Sequence, residues 1–306
     1  MLQVLIGAAA AALAALPFLA SDAFLYHVAI LIGIEALLAL SLHLTLRIGQ
    51  LSLAQAAFMG MGAYASALLT RDLSLPFPAA FLAAVLIPAA IAAVLGTVIL
   101  KVRGVHFALL TFVLGQAVVL IFVEFVVPFG GNNGLMRIPG AEIAGLPLQS
   151  RPAFYALTLV VLGAAFAVVA RLVRGETGRI LDGLAANEAL TQSLGIDALA
   201  WRRLVFAVSG GVAGAAGSLY AHYLGYISPE AFGITATINA LIMNVVGGVA
   251  LLAGPLIGAV ILVPLPELFR SALLYQQLFY GLSLLALMLF MPRGLGGLVV
   301  ARRHAR

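Results

Sequence analysis

Apolar residues gather into long runs separated by short polar interruptions, at 3–20, 24–46, 51–69, 77–100, 105–127, 153–173 and 204–224. Each is roughly the 17 to 25 residues that a helix needs to cross the hydrocarbon core of a bilayer. Three more follow near 234–250, 252–268 and 275–291; the first two of these are short, interrupted by Gly and Pro, and joined by a tight turn, which predicts broken helices or a re-entrant pair. The pattern predicts an all-α, polytopic integral membrane protein of about ten transmembrane helices, some short or broken. No linker divides the chain and no internal repeat is readable, so 1–306 is expected to form a single domain. A cleaved signal peptide at 3–20 is disfavoured because Met1-Leu2-Gln3 supplies no positive charge; a retained first helix is expected.

One sustained polar island breaks this pattern, from Arg174 to Arg203. Arg171, Arg174, Arg179, Arg202 and Arg203 alternate there with Glu176, Asp182, Glu188 and Asp197. Asp182 is expected to cap a helix whose apolar positions Leu184, Ala185, Ala189 and Leu194 lie near one face, and Gly195 to end it in a left-handed turn. Such a helix either lies on the membrane surface or offers a soluble partner something to push on.

Basic residues set the orientation. With the N-terminus cytoplasmic, the inner side receives twelve of them: Arg47, Lys101, Arg103, Arg171, Arg174, Arg179, Arg202, Arg203, Arg293, Arg302, Arg303 and Arg306. The outer side receives four, Arg71, Arg137, Arg151 and Arg270. The positive-inside rule therefore puts both termini in the cytoplasm.

Composition narrows the function classes. The chain is 64% hydrophobic and only 9% charged, with a mean hydropathy of +1.17, too apolar to cover a soluble fold. The net charge of +5 is accounted for by cytoplasmic helix ends and does not indicate nucleic acid. The absence of cysteine removes disulfides, thiol nucleophiles and thiolate metal sites; the five histidines show no ligand spacing. Lys101, the only lysine, is followed by Val102, so no Walker A loop exists to cradle ATP.

Small residues four apart recur at Ala56 and Gly60, Gly62 and Ser66, and Ala63 and Ala67. The same spacing returns at Gly210, Gly214 and Ser218, and at Gly254 and Gly258. It lets helix backbones approach where lipid gives no hydrophobic drive, whether for plain packing or for helices that move against one another. Glu35 lies mid-span, where an ionised carboxylate costs roughly 2.5 to 3.5 kcal/mol on insertion scales. It reads either as a pathway residue or as an interhelical hydrogen bond; His27 and His43, eight residues to either side, are not placed to relay its proton. His43, Gln55, Gln116, Asn239 and Asn244 are further polar candidates for a translocation path. The loop from Pro128 to Pro152 carries GGNNG, with Asn132, Asn133 and Arg137, and is either a solvated connection or a docking surface, as is the 226–232 loop with Ser228 and Glu230.

Seven blocks in order carry a family resemblance: GQLSLAQAAFMGMGAY, RGVHFALLTFVLGQ, GGNNGLMRIPG, TGRILDGLAANEALTQSLGID, SGGVAGAAGSLYAHYLGYISPEAF, LPELFR and MPRGLGGL. From about Arg47 to Gly297 the chain resembles the LivM-type permease subunits of branched-chain amino acid ABC importers. The resemblance implies a bacterial inner-membrane subunit that is not itself an enzyme and holds no cofactor. Its implied partners are a homologous second permease, two cytoplasmic ATPases that bind the ATP, a periplasmic binding protein and membrane lipid. It also implies that residues 174–203 form the cytoplasmic coupling loop, with Leu181, Asp182, Leu184, Ala185, Glu188, Ala189, Leu194, Gly195 and Ile196 at the ATPase. The sequence departs from the family at Ala54-Gln55, where Gly-His is common, at His43, where Asn is common, and at Ala185-Ala186-Asn187-Glu188, which replaces a more charged stretch. Relatives carry urea, amides and aromatic acids as well as branched-chain amino acids. The rival reading, an ion-coupled secondary transporter or channel using Glu35, has no need of an ATPase-docking island; a structural membrane scaffold is a third.

Overall fold

The computed structural model describes residues 23–143, 145–148, 150–268 and 281. The first sequence span, the tenth apart from residue 281, the MPRGLGGL block, Arg270, Arg293, Arg302, Arg303, Arg306 and both termini lie outside the described residues. Helices run in the order α1 (Ala23–Arg47), α2 (Gln55–Arg71), α3 (Phe77–Ile99), α4 (Gly104–Glu124), α5 (Arg151–Val173), α6 (Gly175–Ala186), α7 (Glu188–Ser193), α8 (Ala198–Leu224), α9 (Ile234–Gly247), α10 (Gly254–Leu262) and α11 (Pro264–Leu268). Among the described residues, five helices (α1, α3, α4, α5 and α8) are long and apolar enough to cross a membrane.

A helix that is apolar all round has no face to give to water, and α1 is accordingly enclosed by α8, α5, α10 and α9. α8, rich in Gly and Ala, packs most heavily on α3 and α2. The small residues there let backbones touch: a Cβ on Gly62 would overlap the Gly214 backbone, and one on Gly217 would overlap the Met59 carbonyl. Ser66 and Ser218, each four residues beyond one of those glycines, share a hydrogen bond of 2.8 Å across the same seam.

The third apolar run is shorter as a helix than the sequence pattern predicts. Residues 48–54 are not helical, although Ile48, Gln50, Ser52 and Ala54 are buried. Hydroxyls from distant helices take up the backbone donors that such a stretch leaves free: Leu53 N–H donates to Thr111 Oγ1 and Ala56 N–H to Thr237 Oγ1, each at 3.0 Å. The seventh run begins earlier than expected, because Asp197 caps α8 through the Ala200 N–H (3.0 Å); Arg202 and Arg203 therefore belong to the helix and not to the loop.

α9 has 14 residues, about 21 Å of rise, and α10 has nine; neither matches the roughly 30 Å of a bilayer core. The eighth and ninth runs are thus broken helices. They turn back on each other so tightly that a Cβ on Gly247 would strike the Gly254 carbonyl.

Short strands close one end of the bundle. β1 (Leu135–Met136) pairs antiparallel with β4 (Tyr226–Ile227), and β2 (Glu142–Ile143) with β3 (Leu146–Pro147). The two loops assigned to one side of the membrane from sequence therefore meet.

Candidate functional site

Three groups of sequence-selected residues occupy three levels of the bundle. At the end where α1, α3 and α5 finish, α6 and α7 form a hinged pair. The expectation of a single helix capped by Asp182 is corrected here: the chain breaks at Asn187 (φ −157°, ψ 100°), whose Oδ1 accepts from Leu190 N–H at 3.1 Å and so restarts the helix as α7. Asp182 lies within α6, and its carboxylate takes Arg47 from the end of α1 at 2.6 Å. Gly195 does end the second helix in the left-handed region, at φ +82°.

The apolar face is also divided differently. Leu181 and Leu184 turn inward and are 1% and 2% exposed, so Leu184 does not share a free face with Leu194. Ala185, Ala189, Leu190 (63% exposed) and Leu194 (75% exposed) are exposed and Ile196 is half-buried; Leu190 and Leu194 supply the large free apolar surface. Leu190 escaped the sequence reading; an N-cap at Asn187 would have put Leu190 and Leu194 four apart on one helical face. Glu188 is nearly enclosed: its Oε1 accepts from Arg103 at 2.6 Å and from Gln192 at 3.2 Å, while Arg202 pairs with its other oxygen.

Deeper in the bundle, two polar contacts tie α1 to its neighbours. His43 Nδ1 lies 3.2 Å from Asn244 Oδ1, and the Asn244 amide donates to the carbonyls of Ala39 and Ala240, both at 2.8 Å. With its NH2 so committed, Asn244 offers only its oxygen, which makes His43 the donor at Nδ1. Nearby, Ser41 donates to Gln55 Oε1 at 3.1 Å and Gln55 Nε2 donates to Ser209 Oγ at 3.0 Å, linking α1, α2 and α8. Ser41 and Ser209 were not picked out in the sequence, where serines in apolar runs are common.

Glu35 is half-buried and near enough to Tyr220 to interact with it electrostatically. Neither flanking histidine reaches it: His27 bonds Tyr223 Oη at 2.6 Å and His43 bonds Asn244. Asn239, half-buried, is five residues from Asn244 and so on another face of α9. Gln116 does not join the interior group; it is exposed on the outside of α4. An apolar groove of about 530 Å³ between α3, α5 and α8 is lined by Val85, Ala89, Val160, Ala164, Gly211 and their apolar neighbours, and offers a zwitterion nothing to bind.

At the opposite end the glycine-rich loop is an ordered knot. Gly130 and Gly134 take φ +84° and +67°, and a Cβ on Gly134 would strike the Ile227 carbonyl. Asn132, Asn133, Arg137 and Glu230 are exposed and Ser228 is half-buried, so these five share one end surface. His222 anchors it from below, bonding the Pro139 carbonyl at 2.7 Å and Ser66 Oγ at 2.8 Å.

The family model for the permease component of branched-chain amino acid transport systems matches residues 24–292. The chain belongs to that family. As a permease component it is a multi-pass membrane protein of a transport system and not an enzyme. It is 30% identical over 303 residues to the high-affinity branched-chain amino acid transport system permease protein LivM of Escherichia coli, covering 91% of this chain and 71% of that protein. To the LivM of Salmonella typhimurium it is 29% identical over 270 residues, 81% of this chain and 64% of that protein, so the permease described here spans about two thirds of these relatives' length. No solved structure gives a significant match.

Proposed function

We propose that this chain is one of two permease subunits of a bacterial inner-membrane ABC importer, passing branched-chain or related amino acids from a periplasmic binding protein to the cytoplasm. The observation that carries the reading is the α6–α7 pair. It presents Leu190 and Leu194 to solvent among arginines, at the end of the bundle opposite the glycine-rich knot. Exposed leucines on a charged, water-facing surface suit a protein partner, and two cytoplasmic ATPases, which bind the ATP that this chain has no loop to hold, are the partners assigned. By the positive-inside rule that end, from 174 to 203, is cytoplasmic and both termini lie there. The end surface with Asn132, Asn133, Arg137, Ser228 and Glu230 then receives the binding protein.

A second permease fits α4. Leu109, Val113, Gln116 and Leu120 form one exposed face of that helix, and a glutamine amide bare in hydrocarbon lacks hydrogen-bond partners. A homologous subunit covering it would bring Gln116 to a path between the two chains, with Glu35, Gln55 and the His43–Asn244 pair behind it, all within one permease domain of about ten spans. The test is reconstitution: the chain with its permease, ATPases and binding protein should take up radiolabelled leucine on ATP addition, and the chain alone should hydrolyse none. Uptake driven by a proton gradient without ATPases would replace this reading with ion-coupled transport.

A further inference from the structure

The coupling segment is tied to the transmembrane helices by two ion-pair joints of very different character. At the first, Glu188 begins α7 with a side chain 9% exposed, and Arg202 in the first turns of α8 is 6% exposed; Arg103, at the foot of α4, and Gln192 take the remaining oxygen. At the second, Arg47 ends α1 and meets Asp182 of α6 at 2.6 Å, with side chains 21% and 58% exposed.

Although Arg103 is itself open to water, separating Glu188 from Arg202 would leave two buried charges bare, which is strongly disfavoured. Opening the second lets both groups hydrate, which costs little. Beyond the first joint, α8 is in backbone contact with α2 and α3 through Gly214 and Gly217, so whatever moves its base moves a three-helix slab. Beyond the second lies α1, with Glu35 and His43.

We propose that Glu188 is a positioning residue that fixes α7 to α8, so that the coupling segment and the α2–α3–α8 slab move as one piece, while Arg47–Asp182 is the joint that opens and lets the Arg47 end of α1, beyond its Ser41–Gln55 bond, shift against them. The proposal rests on the transport reading above. It gives the two joints opposite roles.

The chain has no cysteine, so paired cysteines can be bridged selectively with a bifunctional methanethiosulfonate. Glu188→Cys with Arg202→Cys removes both buried charges together. In the reconstituted importer, leucine uptake should fall about tenfold with the ATPases still co-purifying, and bridging should return it to within about twofold of wild type. Arg47→Cys with Asp182→Cys should lose about tenfold of its own unbridged uptake on bridging, restored by reductant. Glu188→Gln, which keeps a hydrogen-bonding side chain but leaves the buried Arg202 without its counter-charge, should lower uptake about tenfold and the melting temperature with it. Bridging that stops uptake at 188/202, bridging without effect at 47/182, or wild-type uptake by Glu188→Gln in a transporting system overturns the joints alone. A wild-type complex that takes up nothing overturns the transport reading and the joints with it.

Discussion

His43 on α1 and Asn244 on α9 face each other at 3.2 Å in the protein interior, in chain segments 201 residues apart. The two residues hold the broken helix α9 to the central span, because Asn244 also donates to the Ala39 carbonyl at 2.8 Å. Asn244→Leu should strand His43 Nδ1, while the Ala39 carbonyl keeps its bond within α1. A buried polar group left unpaired costs about 1–3 kcal/mol, so the melting temperature in detergent should drop by several degrees. A melt unchanged from wild type would mean that α9 is held by its apolar contacts alone.

Glycine contacts give a sharper contrast. Gly62→Ala puts a methyl into the Gly214 backbone, where no side chain can swing away, whereas nothing lies within 4 Å of a Cβ at Gly163 on α5. The first substitution should cost about 1–3 kcal/mol or more and lower the yield of folded protein; the second should be neutral or gain roughly 0.5–1 kcal/mol from helix propensity. Monodisperse yield and melting temperature of the two variants check the order.

Asn187 caps α7 through an acceptor oxygen, and an aspartate supplies the same acceptor. Asn187→Asp should therefore keep the fold, and Asn187→Ala should cost about 1 kcal/mol locally. Hydrogen exchange at Leu190 and Thr191 reads this directly: faster exchange in the alanine variant alone is expected, and equal exchange in both would show the cap to be idle.

The spans were legible wherever a run was continuously apolar and met no competing partner, as for 77–99 and 151–173. Residues 51–54 defeated the pattern. Leu51, Leu53 and Ala54 look helical in sequence, but their neighbourhood is set by Thr111 and Thr237, 58 and 181 residues from the donors they satisfy. The coupling segment misled in a similar way: Asp182 and Asn187 are both competent caps, but the first helix already starts at Gly175, so Asp182 falls inside it and meets Arg47 from 135 residues away, and Asn187 makes the cap. His43 and Asn244 were visible as polar residues in apolar runs, but their pairing was not. Gln116 was visible too, yet its outward direction depends on which face of α4 meets α2.

Leu184 and Leu194 looked interchangeable in sequence and are opposites in the fold. Leu184 is 2% exposed, so Leu184→Asp buries a charge and removes core contacts, and should destabilise the chain itself by more than about 3 kcal/mol. Leu190 and Leu194 are 63% and 75% exposed; an aspartate there costs the isolated chain almost nothing. At a partner surface, however, an unpaired charge at the centre can cost about 2 kcal/mol or more of binding. Leu190→Asp and Leu194→Asp should therefore melt like wild type yet lose the ATPases on co-purification and abolish stimulated hydrolysis. Should both variants keep their ATPases while melting normally, the free apolar surface of α7 is not where the motor binds, and the docking face must be sought elsewhere on the cytoplasmic end.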